Sequence, residues 1–242
     1  MTETRNHKAA PRTSRPMELV YTDLSARISP ESVKGQNYAM IFTDDYSGAM
    51  FLYFLRRKSD AVLALNEFLK ESSHLGKLGR LRCDDGGEFT AGEFRDVLRR
   101  EKICPEYTAP YSPHQNGKAE RSWRTLWEMA RCMLREADLP DMMWNYAMKY
   151  AAYIRNRCYS EPRKCTPFQA ITGVKPNFRK LRVFGASCYA YRRNRSKLED
   201  KGELTRFLGY SHESSPSHIA YNSATKDIRA ERCVEFVNQE TV

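Results

Sequence analysis

Three acidic residues in this chain have the types and the spacing that suit metal-dependent chemistry. Asp23 lies near the end of the apolar stretch 17–24, Asp84 follows the short run 79–83, and 35 residues separate Asp84 from Glu120. Carboxylates brought together from distant segments form a hard-oxygen site of the kind that binds two Mg²⁺ ions. The pattern therefore predicts chemistry on phosphodiesters at a divalent-metal site.

The elements that must position these acids follow an α/β order. The sequence predicts strands at residues 17–24, 38–43, 49–55 and 79–83, and helices after Ser59, at 91–102, after Pro113 and at 142–158, which Pro162 would end. Short β-like runs follow Pro176, at 181–191, 206–210, 218–222 and 227–236. This order indicates an α/β domain with a mixed sheet, followed by a small, separate antiparallel β unit that forms a partly closed barrel.

The helix after Pro113 places Glu120 in an unusual position. Its apolar stripe comprises residues 123, 127, 130 and 134, and it extends backwards through Glu120 to Asn116. An acid on the inward stripe is costly unless a metal or hydrogen bonds compensate it. A helix-entry carboxylate favoured by the macrodipole is the alternative, but it does not explain the inward direction. The pattern therefore favours a metal ligand.

Composition indicates a folded protein with a polyanionic partner. The 242 residues are 41% apolar and 12% aromatic, and the formal net charge is +10. Residues 175–201 contain nine basic and two acidic side chains, and residues 1–16 carry a net charge of +3. Clustered cations favour DNA or RNA through phosphate contacts and counterion release. A positive surface that only maintains solubility is the other interpretation.

The cysteine spacing and the hydropathy indicate the cellular compartment. The seven cysteines lie at 83, 104, 132, 158, 165, 188 and 233, a spacing without a zinc knuckle or a secreted disulfide framework. No stretch approaches the ~20 apolar residues of a membrane span. We therefore expect a soluble intracellular protein with no membrane partner.

Two segments carry a family resemblance. Residues 84–89 read Asp-Asp-Gly-Gly-Glu-Phe, and residues 112–121 read Ser-Pro-His-Gln-Asn-Gly-Lys-Ala-Glu-Arg. Weaker matches lie at 15–20, 42–47, 181–185 and 207–211. Together they resemble the integrases of copia-type long-terminal-repeat retrotransposons, and through them the retroviral integrase and transposase superfamily, over residues 16–238 or so.

The resemblance and the predicted elements divide the chain in the same way. We expect a disordered basic lead-in at 1–16, an integrase catalytic core at 17–175 and a small antiparallel β-barrel-like domain at 176–242. The resemblance implies that the core is ribonuclease H-like, a mixed five-stranded sheet with flanking helices.

The resemblance also implies roles for the three acids. Asp23, Asp84 and Glu120 would form the catalytic triad of a metal-dependent polynucleotidyl transferase, with Asp23 bridging two Mg²⁺ or Mn²⁺ ions and the other acids each holding one. With water as nucleophile such an enzyme trims a DNA 3′ end, and with the freed 3′-hydroxyl it joins that end to target DNA.

Some residues depart from the family pattern without removing a ligand. Asp85 stands where the family commonly has Asn, and the 35-residue spacing selects Asp84 as the catalytic acid. The other departures are Ala26, Cys83 and the pair Ser122-Trp123. The adjacent acids Asp44 and Asp45 invite a metal interpretation, but solvent-facing turn acids explain them better.

Polar and basic side chains near Glu120 and in the β unit are candidates for DNA binding. The first group flanks Glu120 and would contact the DNA end: Gln115, Asn116, Lys118 and Arg121. The alternative is that these polar residues only fill a loop. The second group is Arg192, Arg193, Arg195 and Lys197, which would contact the DNA backbone or else belong to a solvated loop.

The expected partners follow from the resemblance. The family carries a zinc unit of two His and two Cys ahead of its core, but the histidines here, at 7, 74, 114, 212 and 218, form no such constellation, so no zinc is expected in this chain. We expect double-stranded DNA (element ends and target), a homo-oligomer, and a nuclear location after a cytoplasmic stage.

Three other functions stay open at this point. The first is a plain nuclease of the ribonuclease H-like fold that cuts RNA in hybrids. The second is a domesticated or fragmentary integrase-like protein that binds DNA or protein without catalysis. The third is an inert fragment that needs a larger polyprotein. A strand-joining assay separates the integrase from the nuclease, and loss of all metal-dependent activity with DNA binding kept would establish the second.

Overall fold

The first sheet positions the predicted acids. The computed structural model describes residues 13–90, 92–108, 113–191, 198, 200–211 and 217–237, and for 113–119 the backbone alone. Five strands form this sheet: β1 Leu19–Leu24, β2 Tyr38–Asp44, β3 Met50–Leu55, β4 Arg80–Cys83 and β5 Cys104–Tyr107. Their order is β3-β2-β1-β4-β5. β1 pairs antiparallel with β2 and parallel with β4, so the sheet is mixed.

Helices cover both faces of this sheet. They are α1 Ala61–Ser72, α2 Gly87–Thr90, α3 Gly92–Arg100, α4 Pro113–Glu136, α5 Trp144–Arg157 and α6 Pro167–Thr172. Because strand side chains alternate between faces, Met40 and Phe42 lie in the apolar cluster with α1 and α3. Ala39 and Ile41 lie in the cluster with α4 and α5. The Phe42 ring stacks on Phe68 of α1, with centroids 4.2 Å apart.

A second, antiparallel sheet follows the helices. Its strands are β6 Ser187–Tyr191, β7 Gly202–Tyr210, β8 His218–Tyr221, β9 Ile228–Glu231 and β10 Val234–Phe236, in the order β10-β6-β7-β8-β9. The run 227–236, predicted as one strand, is two strands, and residues 181–186 lie outside β6.

Helix α5 joins the two sheets. One apolar cluster contains Ala147 and Tyr150 of α5 together with Phe207 of β7. Gly209 has φ +123°, and a Cβ there would lie 3.2 Å from Tyr150, so glycine permits this close approach. The β unit predicted as separate therefore shares a core with the first domain, while the boundary near 176 stays a prediction.

Several predicted bounds shift because neighbouring structure overrides local signals. Ser59 does not cap a helix: it lies in the 3₁₀ turn Lys58–Asp60, and α1 begins at Ala61. Helix α5 ends at Arg157, five residues before Pro162. Among the helices of the described residues, none is both long and apolar enough to cross a membrane.

The end of the predicted lead-in is ordered. Thr13 is 8% exposed, and its hydroxyl donates to Asp45 at 2.8 Å. The Arg15 guanidinium donates to the carbonyl of Lys77 at 3.2 Å. Residues 13–16 thus pack against the core, and residues 1–12 lie outside the described residues.

Asp44 corrects the expectation of solvent-facing turn acids. It is fully buried, and its carboxylate accepts hydrogen bonds from the backbone N–H of Met17 at 2.8 Å and from Ser47. The Ser47 N–H and hydroxyl donate at 2.8 and 2.6 Å. Burial raises the pKa of Asp44, and these donors oppose that shift. Asp44 therefore stabilises the β2–β3 turn by hydrogen bonds from a buried position. It is buried because the residues before β1 pack over it.

Candidate active site

Two of the predicted acids lie side by side at the ends of neighbouring parallel strands. Tyr21 of β1 is the register partner of Arg82 of β4. Asp23 lies two residues after Tyr21 within β1, and Asp84 lies two residues after Arg82, one residue beyond the end of β4. The charge of Asp84 acts on Asp23, so the two carboxylates lie near each other at this edge of the sheet. The carboxyl ends of adjacent parallel strands thus bring these two acids together, while their role as metal ligands stays a prediction.

Asp23 carries the clearest electrostatic signature. Burial, more than any other cause, raises its pKa from 3.8 to about 6, and the charges of Asp84 and, more weakly, Glu120 add to the shift. Hydrogen bonds from Trp123 and from the backbone of Leu24 oppose it. All three predicted acids therefore act on one electrostatic site, whose mutual repulsion a bound cation would relieve.

Asp84, not Asp85, faces that site. Asp84 is half-buried and Asp85 is exposed. The Asp84 Oδ1 accepts the N–H of Gly86 at 3.2 Å. The thiol of the buried residue before it, Cys83, has a pKa raised to about 12, first by burial and then by the neighbouring carboxylates, so it stays protonated. The structure favours the acid that the spacing selects.

A fourth acid lies close to Asp84. A Cβ on Gly86 would lie 3.0 Å from Asp84 Oδ1 and 3.1 Å from Glu88 Oε2. Both carboxylates therefore lie next to Gly86, in space that a larger side chain would fill. Glu88 also lies 4.0 Å from the Lys58 ammonium. The sequence reasoning missed Glu88, although its spacing of four residues from Asp84, within a quoted motif, could have indicated it.

Glu120 differs from the expectation that it faces the core. It is exposed on α4. The fully buried residue of this part of the helix is Leu126, with Ala130 and Leu134 farther along. The charge of Glu120 nevertheless acts on Asp23, so Glu120 lies near the other acids and not in the apolar core. One turn later, the half-buried Trp123 donates its indole N–H to Asp23 Oδ2 at 3.1 Å.

The three acids have the oxygen ligands that a hard divalent cation prefers, but their side chains are not close enough together to bind one. Asp23, Asp84 and Glu120 supply only carboxylate oxygens, which Mg²⁺ prefers. Across the residues that the structure describes, these three included, no three carboxylate, histidine or cysteine side chains lie together closely enough to hold a metal ion. The assignment of all three acids as metal ligands therefore stays a prediction. It requires Glu120 to lie closer to Asp23 and Asp84 when the metal is bound.

The predicted DNA-binding residues are placed only in part. Gln115, Asn116 and Lys118 belong to the first turns of α4 rather than to a loop, and their side chains lie outside the described residues. Arg121 is exposed beside Glu120. The four basic residues of the β unit, Arg192, Arg193, Arg195 and Lys197, lie outside the described residues.

Two known families match separate parts of the chain. Residues 13–113 match the integrase core domain family. Residues 186–242 match the retroviral polymerase SH3-like domain family. The first match includes Asp23 and Asp84, and it ends where α4 begins.

Curated relatives match nearly the whole chain. A retrovirus-related Pol polyprotein from transposon RE2 of Arabidopsis thaliana is 34% identical over 229 residues, 92% of this chain. One from transposon TNT 1-94 of Nicotiana tabacum is 35% identical over 229 residues, 93% of this chain. The chain spans only 15% and 17% of the lengths of these two polyproteins.

Solved structures share the fold. A chain of the simian T-cell lymphotropic virus intasome, solved with a PP2A regulatory subunit, superimposes with a TM-score of 0.58 at 15% identity, covering 96% of this chain and 82% of that one. The HTLV-2 integrase catalytic core in complex with magnesium gives 0.51 at 18% identity, covering 65% and 97%. The predicted fold class, a ribonuclease H-like core followed by a small antiparallel β domain, is confirmed.

Proposed function

The chain belongs to the integrases of retroviruses and long-terminal-repeat retrotransposons, and we propose that it is the catalytic part of a copia-type integrase. Its reaction would be metal-dependent processing of DNA 3′ ends, followed by their transfer into target DNA. The observation that carries this proposal is the placement of Asp23 and Asp84 just past the last paired residues of the parallel strands β1 and β4, with the pKa of Asp23 raised by burial and by the other two acids.

The residues of the site have separate tasks in this reaction. Mg²⁺ held by the acids would supply electrostatic stabilisation of the charge that develops on the phosphodiester. Asp23 is oriented by the Trp123 indole, and Asp84 by the Gly86 N–H. Glu120 is exposed, and it would approach the other two acids when the cation binds. The magnesium complex of the HTLV-2 core supports the choice of cation.

Partners and location are part of the same proposal. The net charge of +10 favours double-stranded DNA as the substrate. The intasome neighbour and the HTLV-2 core, whose structures are described as trimeric and dimeric forms, support self-association. A DNA-joining role places the protein in the nucleus.

Strand transfer with purified protein, labelled terminal-repeat DNA and Mg²⁺ or Mn²⁺ tests the proposal. Asp84→Asn is the inactive variant, and Asp85→Asn is its matched control, because it makes the same charge change one residue away on an exposed side chain. We expect joined products from the wild type and from Asp85→Asn, and none from Asp84→Asn.

Other outcomes would overturn either the assigned acid or the proposed reaction. Joining lost in Asp85→Asn but kept in Asp84→Asn would show that the wrong acid was assigned. Cleavage of RNA–DNA hybrids without joining would indicate a nuclease. DNA binding without any metal-dependent product would indicate a protein that only binds DNA.

A further inference from the structure

A row of three polar side chains crosses the first sheet directly below the acids. Tyr21 of β1 is the register partner of Arg82 of β4, and Arg82 is the register partner of Glu106 of β5. All three strands run parallel, so the three side chains lie in one line on one face of the sheet. No covalent chemistry is assigned to this row in the proposed reaction.

The row is held by strong hydrogen bonds. The Arg82 Nε and Nη2 atoms donate to Glu106 Oε2 at 2.9 and 2.6 Å. Its Nη1 atom donates to the Tyr21 hydroxyl at 3.1 Å, and the guanidinium lies 5.1 Å from the centroid of the Tyr21 ring. One guanidinium therefore bridges β1, β4 and β5, and charge-assisted bonds of this kind fix geometry as well as adding energy.

The charges of the row are balanced, which argues against a phosphate-binding role. Arg80 donates to the other oxygen of Glu106 at 2.9 Å and to Glu18 at 3.2 Å. Two cations thus meet two carboxylates. The side chains of Arg82 and Glu106 are only 23% and 26% exposed, so salt and water screen this pair less than an ordinary surface pair. The row is suited to holding strands in register.

The position of the row relative to the acids gives it a function. Asp23 lies two residues after Tyr21, and Asp84 lies two residues after Arg82. Alternate residues of a strand share a face, so Asp23 lies on the face of Tyr21. Asp84 follows β4 directly, and its charge acts on Asp23, so the two acids lie next to the row. Any slip of β4 against β1 would change the separation of the two carboxylates. Strand β4 has only four residues with which to resist it.

We propose that Arg82 is a positioning residue that sets the separation between Asp23 and Asp84, and thereby the fit of the site for Mg²⁺. The inference rests on the proposed function for the identity of the cation. Mg²⁺ demands near-ideal octahedral geometry, whereas larger cations accept looser sites. Loss of the bridge therefore weakens Mg²⁺ binding more than Mn²⁺ binding, while a general loss of folding would weaken both alike.

The test compares Arg82→Met with Arg80→Met. Both variants remove one guanidinium that is bonded to Glu106, but only Arg82 touches Tyr21 and lies in the line next to the acids. Dissociation constants for Mg²⁺ and for Mn²⁺ are measured by calorimetry on folded protein, with circular dichroism and thermal melting as checks. We expect Arg82→Met to weaken Mg²⁺ binding about tenfold or more, in the range typical of residues that orient metal ligands, and Mn²⁺ binding about threefold or less. Arg80→Met should change both by less than about twofold.

Either of two results would overturn the inference: equal losses for the two metals, or equal losses in the two variants. If Arg82→Met does not fold, Tyr21→Phe removes the hydroxyl that accepts the bond from Arg82 and that also bonds Asp45, and it should weaken Mg²⁺ binding selectively by about twofold to threefold. Asp45→Asn, which keeps the Arg82 bond, serves as its control. No selective change in Tyr21→Phe would then overturn the inference. Because the readout is metal binding, a failure of DNA joining in the wild type would reject the proposed function without deciding the role of Arg82.

Discussion

The indole N–H of Trp123 donates a hydrogen bond to Oδ2 of Asp23 across 3.1 Å, and this bond ties α4 to the end of β1. Trp123 lies one helical turn after Glu120, on the helix that carries the third acid. A neutral donor thus holds the first acid in place without adding positive charge that would compete with a metal ion. The bond also lowers the pKa of Asp23, against the burial and the carboxylate charges that raise it.

Replacement of Trp123 by Phe should shift metal binding to higher pH. A hydrogen bond to a charged group contributes about 1.5–3 kcal/mol, and its loss lets the pKa of Asp23 rise further above 6. The pH at which Mg²⁺ binding reaches half its maximum should therefore rise by about one unit. Calorimetric titrations between pH 5.5 and 8.5 measure this shift. Trp127→Phe, one turn farther along α4, is the control, and identical pH profiles for the two variants would contradict the prediction.

Replacement of Asp23 by Asn should stabilise the metal-free protein at neutral pH. The pKa of Asp23 is about 6 in the fold and 3.8 as a free side chain. A raised pKa means that the folded state binds the proton more tightly than the unfolded state. Ionisation of Asp23 therefore lowers the free energy of unfolding as the pH rises from about 4 to 6, and above pH 6 the full decrease is present. The loss amounts to roughly 3 kcal/mol.

Urea unfolding in the presence of a chelator measures this effect. We expect the Asp23→Asn variant to exceed the wild type in unfolding free energy at pH 7.5 and to match it at pH 4. Mg²⁺ should then stabilise the wild type and not the variant, because ligand binding to the folded state alone adds stability. A difference between the two proteins that is equal at both pH values would contradict the prediction.

Local patterns in the sequence predict the elements that carry the acids. Alternation and turn residues give β1 to β4 within about two residues, and the position of Asp84 after a short strand is correct. The direction of Glu120 was wrong, because a helical stripe shows which residues share a face but not where the core beneath that face ends. The hydrogen bonds that Trp123 and Arg82 make were not predicted, for a related reason. Their partners lie 100 and 24 residues away, and only the strand order brings them together.

Replacement of Asp44 by Ala should destabilise the fold without altering metal binding directly. The buried carboxylate accepts the N–H groups of Met17 and Ser47, and alanine would leave both donors unsatisfied. Each buried, unpaired group costs about 1–3 kcal/mol. We expect a loss of about 2–4 kcal/mol in unfolding free energy. Asp85→Ala, which removes an exposed carboxylate, should change it by less than about 0.5 kcal/mol. A normal stability for Asp44→Ala would show that the turn forms without its buried acid.

The basic residues of the β domain should determine how DNA binding responds to salt. We expect the combined replacement of Arg192, Arg193, Arg195 and Lys197 by Gln to flatten the plot of log affinity against log salt by about 0.9 for each phosphate that the variant no longer neutralises. Fluorescence anisotropy with duplex DNA between 50 and 300 mM salt measures the slope.

A variant with the same charge change serves as the control, with Gln at the exposed residues Lys70, Lys77, Arg99 and Arg100. If both variants flatten the plot equally, net charge alone accounts for DNA binding. If only the first does, these four residues contact the DNA backbone.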